Sequence, residues 1–297
     1  MSARASDTKV TGLLFVSPVL LVTLVTLVVP TVGALVLSLT DFDIYALGHL
    51  RDLRFVGLGN YEELLGTPLF WRAAANTALL TALGVPAAIG ASLGAALLLE
   101  AATLPWKPFW RLLLFAPSVV TVVSAALVWR YLLNTDFGLL NYGLSRLGLP
   151  PVDWLGDPRL SMPSIVLFVV WKIFGYNMVI FTAALGAVPG ELHEAARLDG
   201  AGAWTRFRHV TLPAIGPTLL LATILSVANF LQIFTEPYVM THGGPAQSTV
   251  TLLYFMFQEG FEWWSLGLAS AVAFILFLCI LAVTLVQVRI GKAREWV

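Results

Sequence analysis

Four polar side chains, Ser226, Asn229, Gln232 and Glu236, recur at offsets of 0, 3, 6 and 10 in an otherwise apolar stretch. On a helix these offsets keep them within one stripe of about 120°. A second group joins Lys172 to Tyr176, four residues on, and to neighbouring Asn177. Hydroxyls, amides and an ammonium placed this way can hydrogen-bond a polar solute. They can equally tie helices together, at about 0.6 kcal/mol per bond on average. The residues leave both readings open. No acid–base pair or nucleophile–base pair can be placed for catalysis. His193, Glu194 and Arg197 begin like the zinc-protease pattern His-Glu-x-x-His, but the second ligand position holds a cation, which cannot bind zinc. Gly291 and Lys292 are followed by Ala293, and Val286 stands where a phosphate-binding loop needs its first glycine, so the chain itself is expected to bind no nucleotide.

The elements that must position these residues follow from composition. Of the 297 residues, 58% are hydrophobic and 11% charged. Ordinary soluble domains carry roughly 45–50% and about 25%, so this chain requires lipid as its solvent. A membrane helix needs about 20 residues without exposed charge. Six stretches meet or approach that length, and they predict an all-α polytopic membrane protein, one domain over 1–297, with spans near 11–40, 75–99, 111–133, 161–187, 213–238 and 263–289. Lys172 is the one charge within 160–190 and falls about 16 Å from the outer end of span four. Counted from Pro213 at about 1.5 Å per residue, Ser226 and Asn229 lie roughly 20 to 24 Å along span five. Pro18, Pro30, Pro86 and Pro117 lie inside or near the starts of spans, where kinks are tolerated. The apolar run after residue 9 is about 30 residues long, too long for the core of a signal peptide. Cys279 is expected to serve packing, and a lone cysteine excludes an intrachain disulfide. Zero formal net charge argues against nucleic acid as a partner.

With the N-terminus inside, inner segments hold ten Lys and Arg and outer segments six, which favours cytoplasmic termini. All tryptophans but Trp171 fall at or beyond span ends, as interfacial rings should. In the outer segment 130–160, Leu139, Leu140, Tyr142, Leu144 and Leu147 suggest a short helix lying on the membrane. Glu236, Glu259 and Glu262 are assigned to outer ends of spans, so the spans hold no Asp, Glu or His near their centres for a proton relay.

Residues 189–213, between spans four and five, read as helix, turn, helix. Glu191 and Glu194 suit a first helical turn, and Asp199 with Gly200 suits its termination. Leu192, Ala195, Ala196 and Asp199 share one arc, expected to face the chain's own body. His193, Glu194 and Arg197 share much of the other, expected to face outward. The pattern Glu194, Ala195, Ala196, Gly200, Val210, Leu212 and Pro213 resembles the cytoplasmic EAA motif of binding-protein-dependent ABC importer permeases, with Val210 in place of the usual Ile. Thr241, Gly243, Gly244, Pro245 and Thr249, together with Gly138, Asn141, Trp154, Leu155 and Pro158, extend the likeness to the sugar and glycerol-phosphate group.

The resemblance implies a type I permease subunit that binds no cofactor. It would pair with a second six-helix permease, two ATPase subunits that carry ATP and Mg, and an extracytoplasmic binding protein delivering a sugar or polyol. It would sit in the cytoplasmic membrane. It casts Glu191, Glu194, Ala195, Ala196, Asp199, Gly200, Leu212 and Pro213 as an ATPase-coupling element. Lys172, Tyr176, Asn177, Ser226, Asn229, Phe230, Gln232 and Ile233 become a substrate path, with Phe230 placed to stack on a sugar ring. An ion-coupled secondary transporter of a small polar solute is the alternative.

Overall fold

A computed structural model describes residues 14–43, 54–101, 105–294 and 296. The expected first residues of span one, 11–13, lie outside these, as does 44–53 of the first outer loop. The chain divides into two compact units, Met1–Thr67 with Met256–Ile275, and Pro68–Phe255 with Leu276–Val297.

In the first unit, helix α1 (Leu14–Leu37) is strongly apolar, and its most hydrophobic stretch is left uncovered by the described residues. Lipid or another subunit must therefore cover it. Helix α2 (Gly59–Gly66) is stapled beneath its end. Asn60 Nδ2 donates to the carbonyls of Ser38 and Thr40, each at 2.8 Å, and the Ser38 and Tyr61 hydroxyls pair at 2.7 Å. An isolated antiparallel bridge joins Thr40 to Phe55. The Gly267 amide donates to the Phe42 carbonyl at 2.8 Å, and a Cβ there would stand 2.4 Å from the Thr40 oxygen, so only glycine fits. In the π-turn Gln258–Glu262, burial and the nearby Glu63 charge push the Glu259 carboxyl up to about 7.

The second unit carries helices α3 (Pro68–Ala101), α4 (Lys107–Val119), α5 (Val122–Leu132), α6 (Leu139–Arg146) and α7 (Ser161–Gly186). Next come α8 (Gly190–Leu198), α9 (Ala203–Ala214), α10 (Gly216–Leu231) and α11 (Thr235–Met240). Helix α12 (Leu252–Phe257) leads towards α13 (Leu266–Ala293). Four helices, α1, α3, α7 and α13, can each cross a membrane unaided. Two more spans exist if the bent pairs α4–α5 and α9–α10 each count as one, which gives the six expected.

The bends, 98° and 71°, were not expected as breaks. Val120 and Thr121 are both extended, with ψ of 142° and 140°. They lie in the β-branched run from Val119 to Val123, which disfavours helix. Pro213 and Pro217 flank the second break, where neither ring nitrogen can donate. Pro86, by contrast, sits inside an unbroken α3.

The core of this unit packs α3, α7, α5 and the α10–α11 region around Leu80, Ile165, Phe168 and Phe230. Trp171 lies 5.3 Å from Trp129 and 6.0 Å from Phe168, ring centre to ring centre. Cys279 does not serve packing within the chain: it is exposed on α13, because an apolar face solvated by lipid needs no protein cover.

Helix α6 forms where the leucine pattern suggested it, with Leu139, Leu140 and Tyr142 exposed and Asn141 buried. Asn141 explains its share of the outer motif. Its amide nitrogen donates to the carbonyls of Thr135 and Val152, and its oxygen accepts from the Val152 amide and the Trp154 indole. Gly138 is fixed by backbone crowding, since a Cβ would meet the Asn134 oxygen at 2.3 Å. In the second outer motif the Thr241 and Thr249 hydroxyls pair at 2.7 Å, and Thr249 donates to the Gly244 carbonyl. These motif residues build loops.

Candidate functional site

A cavity of about 300 Å³ opens between α4, α5, α7 and the α10–α11 region, lined by Lys172, Tyr176, Asn177, Ser226, Asn229 and Glu236, with Ser118 and Val122 at its wall. All but Gln232 of the two groups of polar residues picked out by spacing thus meet at one place. The α4–α5 break builds one side. The last carbonyls of a helix lack intrahelical partners, and in lipid they must find others. Lys172 Nζ donates to the Ser118 carbonyl at 3.0 Å, and Ser118 Oγ returns a bond to the Lys172 carbonyl at 3.1 Å. One charged side chain therefore closes the broken helix while its remaining donors stay available. Opposite, Asn177 Nδ2 donates to Ser226 Oγ at 3.1 Å. Tyr176 and Asn229 stay exposed and form the open lip.

Close approach of α4 and α7 brings Ser118 within reach. It depends on Gly175, where a Cβ would stand 2.3 Å from the Leu114 carbonyl oxygen and 2.9 Å from Phe115 Cα. Ser118, Val122 and Gly175 were missed from sequence, although the β-branched run after Pro117 was a usable sign of the break.

Glu236 departs from its expected place. Instead of capping the outer end of a continuous span, it is 8% exposed and shares the cavity with Lys172, also 8% exposed. The helix of span five ends at Leu231, and α11 packs back on α5 and α7, with Met240 in the core and Thr251 Oγ1 donating to the Ile233 carbonyl at the break. Thr235-Glu236-Pro237 is a helix-start pattern that could have signalled this. Among the described residues, Lys172 and Glu236 form no ion pair within 4 Å.

Three members of the expected path, Phe230, Ile233 and Gln232, do not line the cavity. Phe230 is fully buried and fills a notch in α3 at Gly84, where a Cβ would lie 2.0 Å from its ring; Ile233 is 3% exposed in the same core. Phe230 stands 100° around the helix from Asn229, which aims it at α3 and away from the opening. Gln232 is exposed beside Asn229, and its Nε2 bonds the Ala228 carbonyl at 3.0 Å. The depth also changes. Because the chain turns by 71° before Gly216, the count along span five starts there, putting Ser226 and Asn229 about 15 and 20 Å along α10.

The EAA-like segment forms helix α8. Gly200, at φ 77°, ends it: the Gly200 amide donates to the Arg197 carbonyl and the Ala201 amide to the Ala196 carbonyl, the paired bonds of a left-handed glycine stop. Glu191, Glu194, Ala195 and Asp199 are exposed, and Glu194 makes no ion pair with Arg197. The facing differs from expectation. His193 and Ala196 are the half-buried positions, where α8 touches Phe207–Thr211, whereas Leu192 is 48% exposed and Leu198 90% exposed. Leu192 and Leu198 therefore present apolar surface that the described residues leave uncovered. Leu212 is half-buried and Pro213 exposed; with Trp204, Phe207, Arg208 and Trp296 they line a hollow of about 390 Å³.

Residues 64–295 match the family described as binding-protein-dependent transport system inner membrane component. The sulfoquinovosyl glycerol transport system permease protein of Agrobacterium fabrum is 34% identical over 258 residues, covering 86% of this chain and 83% of that one. The lactose transport system permease protein of Rhizobium radiobacter is 32% identical over 291 residues, covering 96% and 95%. Among solved structures, a chain of a bacterial ABC transporter involved in the import of the acidic polysaccharide alginate superposes with a TM-score of 0.83 at 21% identity, covering 98% of this chain and 99% of that one.

Proposed function

The chain belongs to the family of binding-protein-dependent transport system inner membrane components, and on that premise we propose that this ABC importer permease carries a sugar or sugar-like polyol through the cavity at Lys172, Asn177, Ser226 and Asn229. As a membrane component of a transporter it is not an enzyme. The observation that carries the reading is the convergence of polar groups from two spans. Lys172 stands about 16 Å along α7 and Ser226 about 15 Å along α10, each roughly half the approximately 30 Å thickness of hydrocarbon. Polar side chains are costly at that depth unless they serve a path or a partner. The relatives named for lactose and sulfoquinovosyl glycerol support a sugar.

A second permease closes the open lip at Tyr176 and Asn229, an extracytoplasmic binding protein delivers the solute, and two partner ATPases hold ATP and Mg. Their closure moves α8, whose exposed face docks with them, and turns the cavity from inward to outward. Ser226, Asn229 and Gln232 remain on the path; Phe230 and Ile233 shape it from behind. Asn229→Ala is expected to reduce uptake several-fold in cells while the complex still assembles. Undiminished uptake by a variant with Ser226, Asn229 and Gln232 all changed to alanine would rule the cavity out as the path.

Both termini are cytoplasmic in this reading, with α8 on the same side. A cysteine at Gly202, exposed in the turn between α8 and α9, is expected to resist an impermeant thiol reagent added to intact cells and to react once they are permeabilised. Labelling from outside would reverse the orientation.

A further inference from the structure

We infer that Glu236, set across the cavity from Lys172, selects neutral polyhydroxyl solutes and excludes acidic sugars. This rests on the reading that the cavity is the cargo path. Lys172 and Glu236 are the two charged side chains among its lining residues, both largely buried, and they do not close on each other as an ion pair. Lys172 spends one of its three N–H donors on the Ser118 carbonyl. The cavity therefore presents the N–H donors of Lys172 from α7 and the carboxyl group of Glu236 from α11.

A sugar hydroxyl both donates and accepts, so a neutral sugar lying between the two walls satisfies both. A carboxylated sugar would satisfy Lys172 and meet Glu236 as a like charge in a medium of low dielectric, where repulsion is weakly screened. An amino sugar would meet the same conflict at Lys172. The fold does not decide the matter, because a chain of similar architecture belongs to an importer of an acidic polysaccharide. The local charge decides it.

The test uses the permease assembled with its partner subunits. The midpoint of thermal unfolding is titrated with lactose and maltose as neutral probes, digalacturonate as the acidic probe and the disaccharide of glucosamine as the cationic probe. Wild type is expected to be stabilised by a neutral probe and not by either charged one. Glu236→Gln leaves the lysine uncompensated and is expected to tighten digalacturonate by about tenfold or more, read as the shift in half-saturating concentration. Lys172→Met is the mirror, expected to favour the glucosamine disaccharide by a similar factor, so misfolding of one variant leaves the other to decide. Stabilisation of wild type by digalacturonate, or unchanged preferences in every variant that folds, overturns the charge inference and leaves the sugar path standing. If no probe shifts wild type, the sugar path itself fails.

Discussion

Gly175→Val is expected to abolish uptake and to leave little intact complex on a size column, the most severe effect of any substitution near the cavity. The helices α4 and α7 meet there backbone to backbone. A methyl group at Gly175 would already lie 2.3 Å from the Leu114 carbonyl oxygen, and a carbonyl in a helix cannot swing aside as the tip of a side chain can. Overpacking of this kind costs typically about 1–3 kcal/mol and sometimes more. The cost is compounded by position. Ser118 lies one helical turn beyond Leu114, so prying α4 from α7 lengthens both bonds between Ser118 and Lys172 and leaves a lysine and a helix end unpartnered in the membrane. Gly175→Ala is expected to retain part of the assembly with a lowered unfolding midpoint and reduced uptake. Gly90→Ala, where a Cβ would meet nothing within 4 Å, serves as the control for the general effect of replacing a helical glycine. Equal behaviour of the Gly175 and Gly90 variants would show that the close approach carries no weight.

That glycine also marks where the sequence stops being legible. Charge-free length locates helices because hydrocarbon rejects ions whatever the tertiary structure, and the expected spans near 75–99, 161–187 and 263–289 correspond to α3, α7 and α13. The same criterion is blind to breaks, since a span interrupted by two extended residues is as apolar as a continuous one. The α4–α5 and α9–α10 bends went unseen for that reason, and with them the return of Glu236 to the cavity. Periodicity grouped Ser226 with Asn229 and Lys172 with Asn177, which line one cavity, because residues on one helical arc share a direction. It could not say that Phe230 would be claimed by a notch at Gly84 on a helix about 140 residues earlier in the chain. For α8 the pattern gave the helix and its glycine stop, while the arc turned inward was decided by Phe207–Thr211, a contact that no local rule contains.

Glu194→Lys is expected to eliminate the stimulation of ATP hydrolysis by loaded binding protein while the permease still inserts in the membrane. Glu194 is exposed on α8 and has no ion-pair partner among the described residues, so under the proposed docking its carboxylate would meet a basic group on the ATPase. In a desolvated interface, replacing attraction by like-charge repulsion costs several kcal/mol, which exceeds what the remaining small side chains on that face can offset. The exposed Leu192 and Leu198 would add apolar contact to such an interface but could not neutralise a misplaced cation. Gly200→Ala probes the same element by geometry instead of charge. At φ 77° a side chain strains the turn by roughly 1–2 kcal/mol, and the two amide bonds that end α8 make the helix axis follow that turn. Its stimulated hydrolysis is expected to fall less than that of Glu194→Lys, because open space surrounds the position and the docking charge is kept. The measurement is ATP turnover by the reconstituted complex with and without loaded binding protein, with subunit retention checked by size. Full assembly and full stimulation in Glu194→Lys would mean that α8 is a solvated loop helix and that the ATPase stroke enters the permease elsewhere.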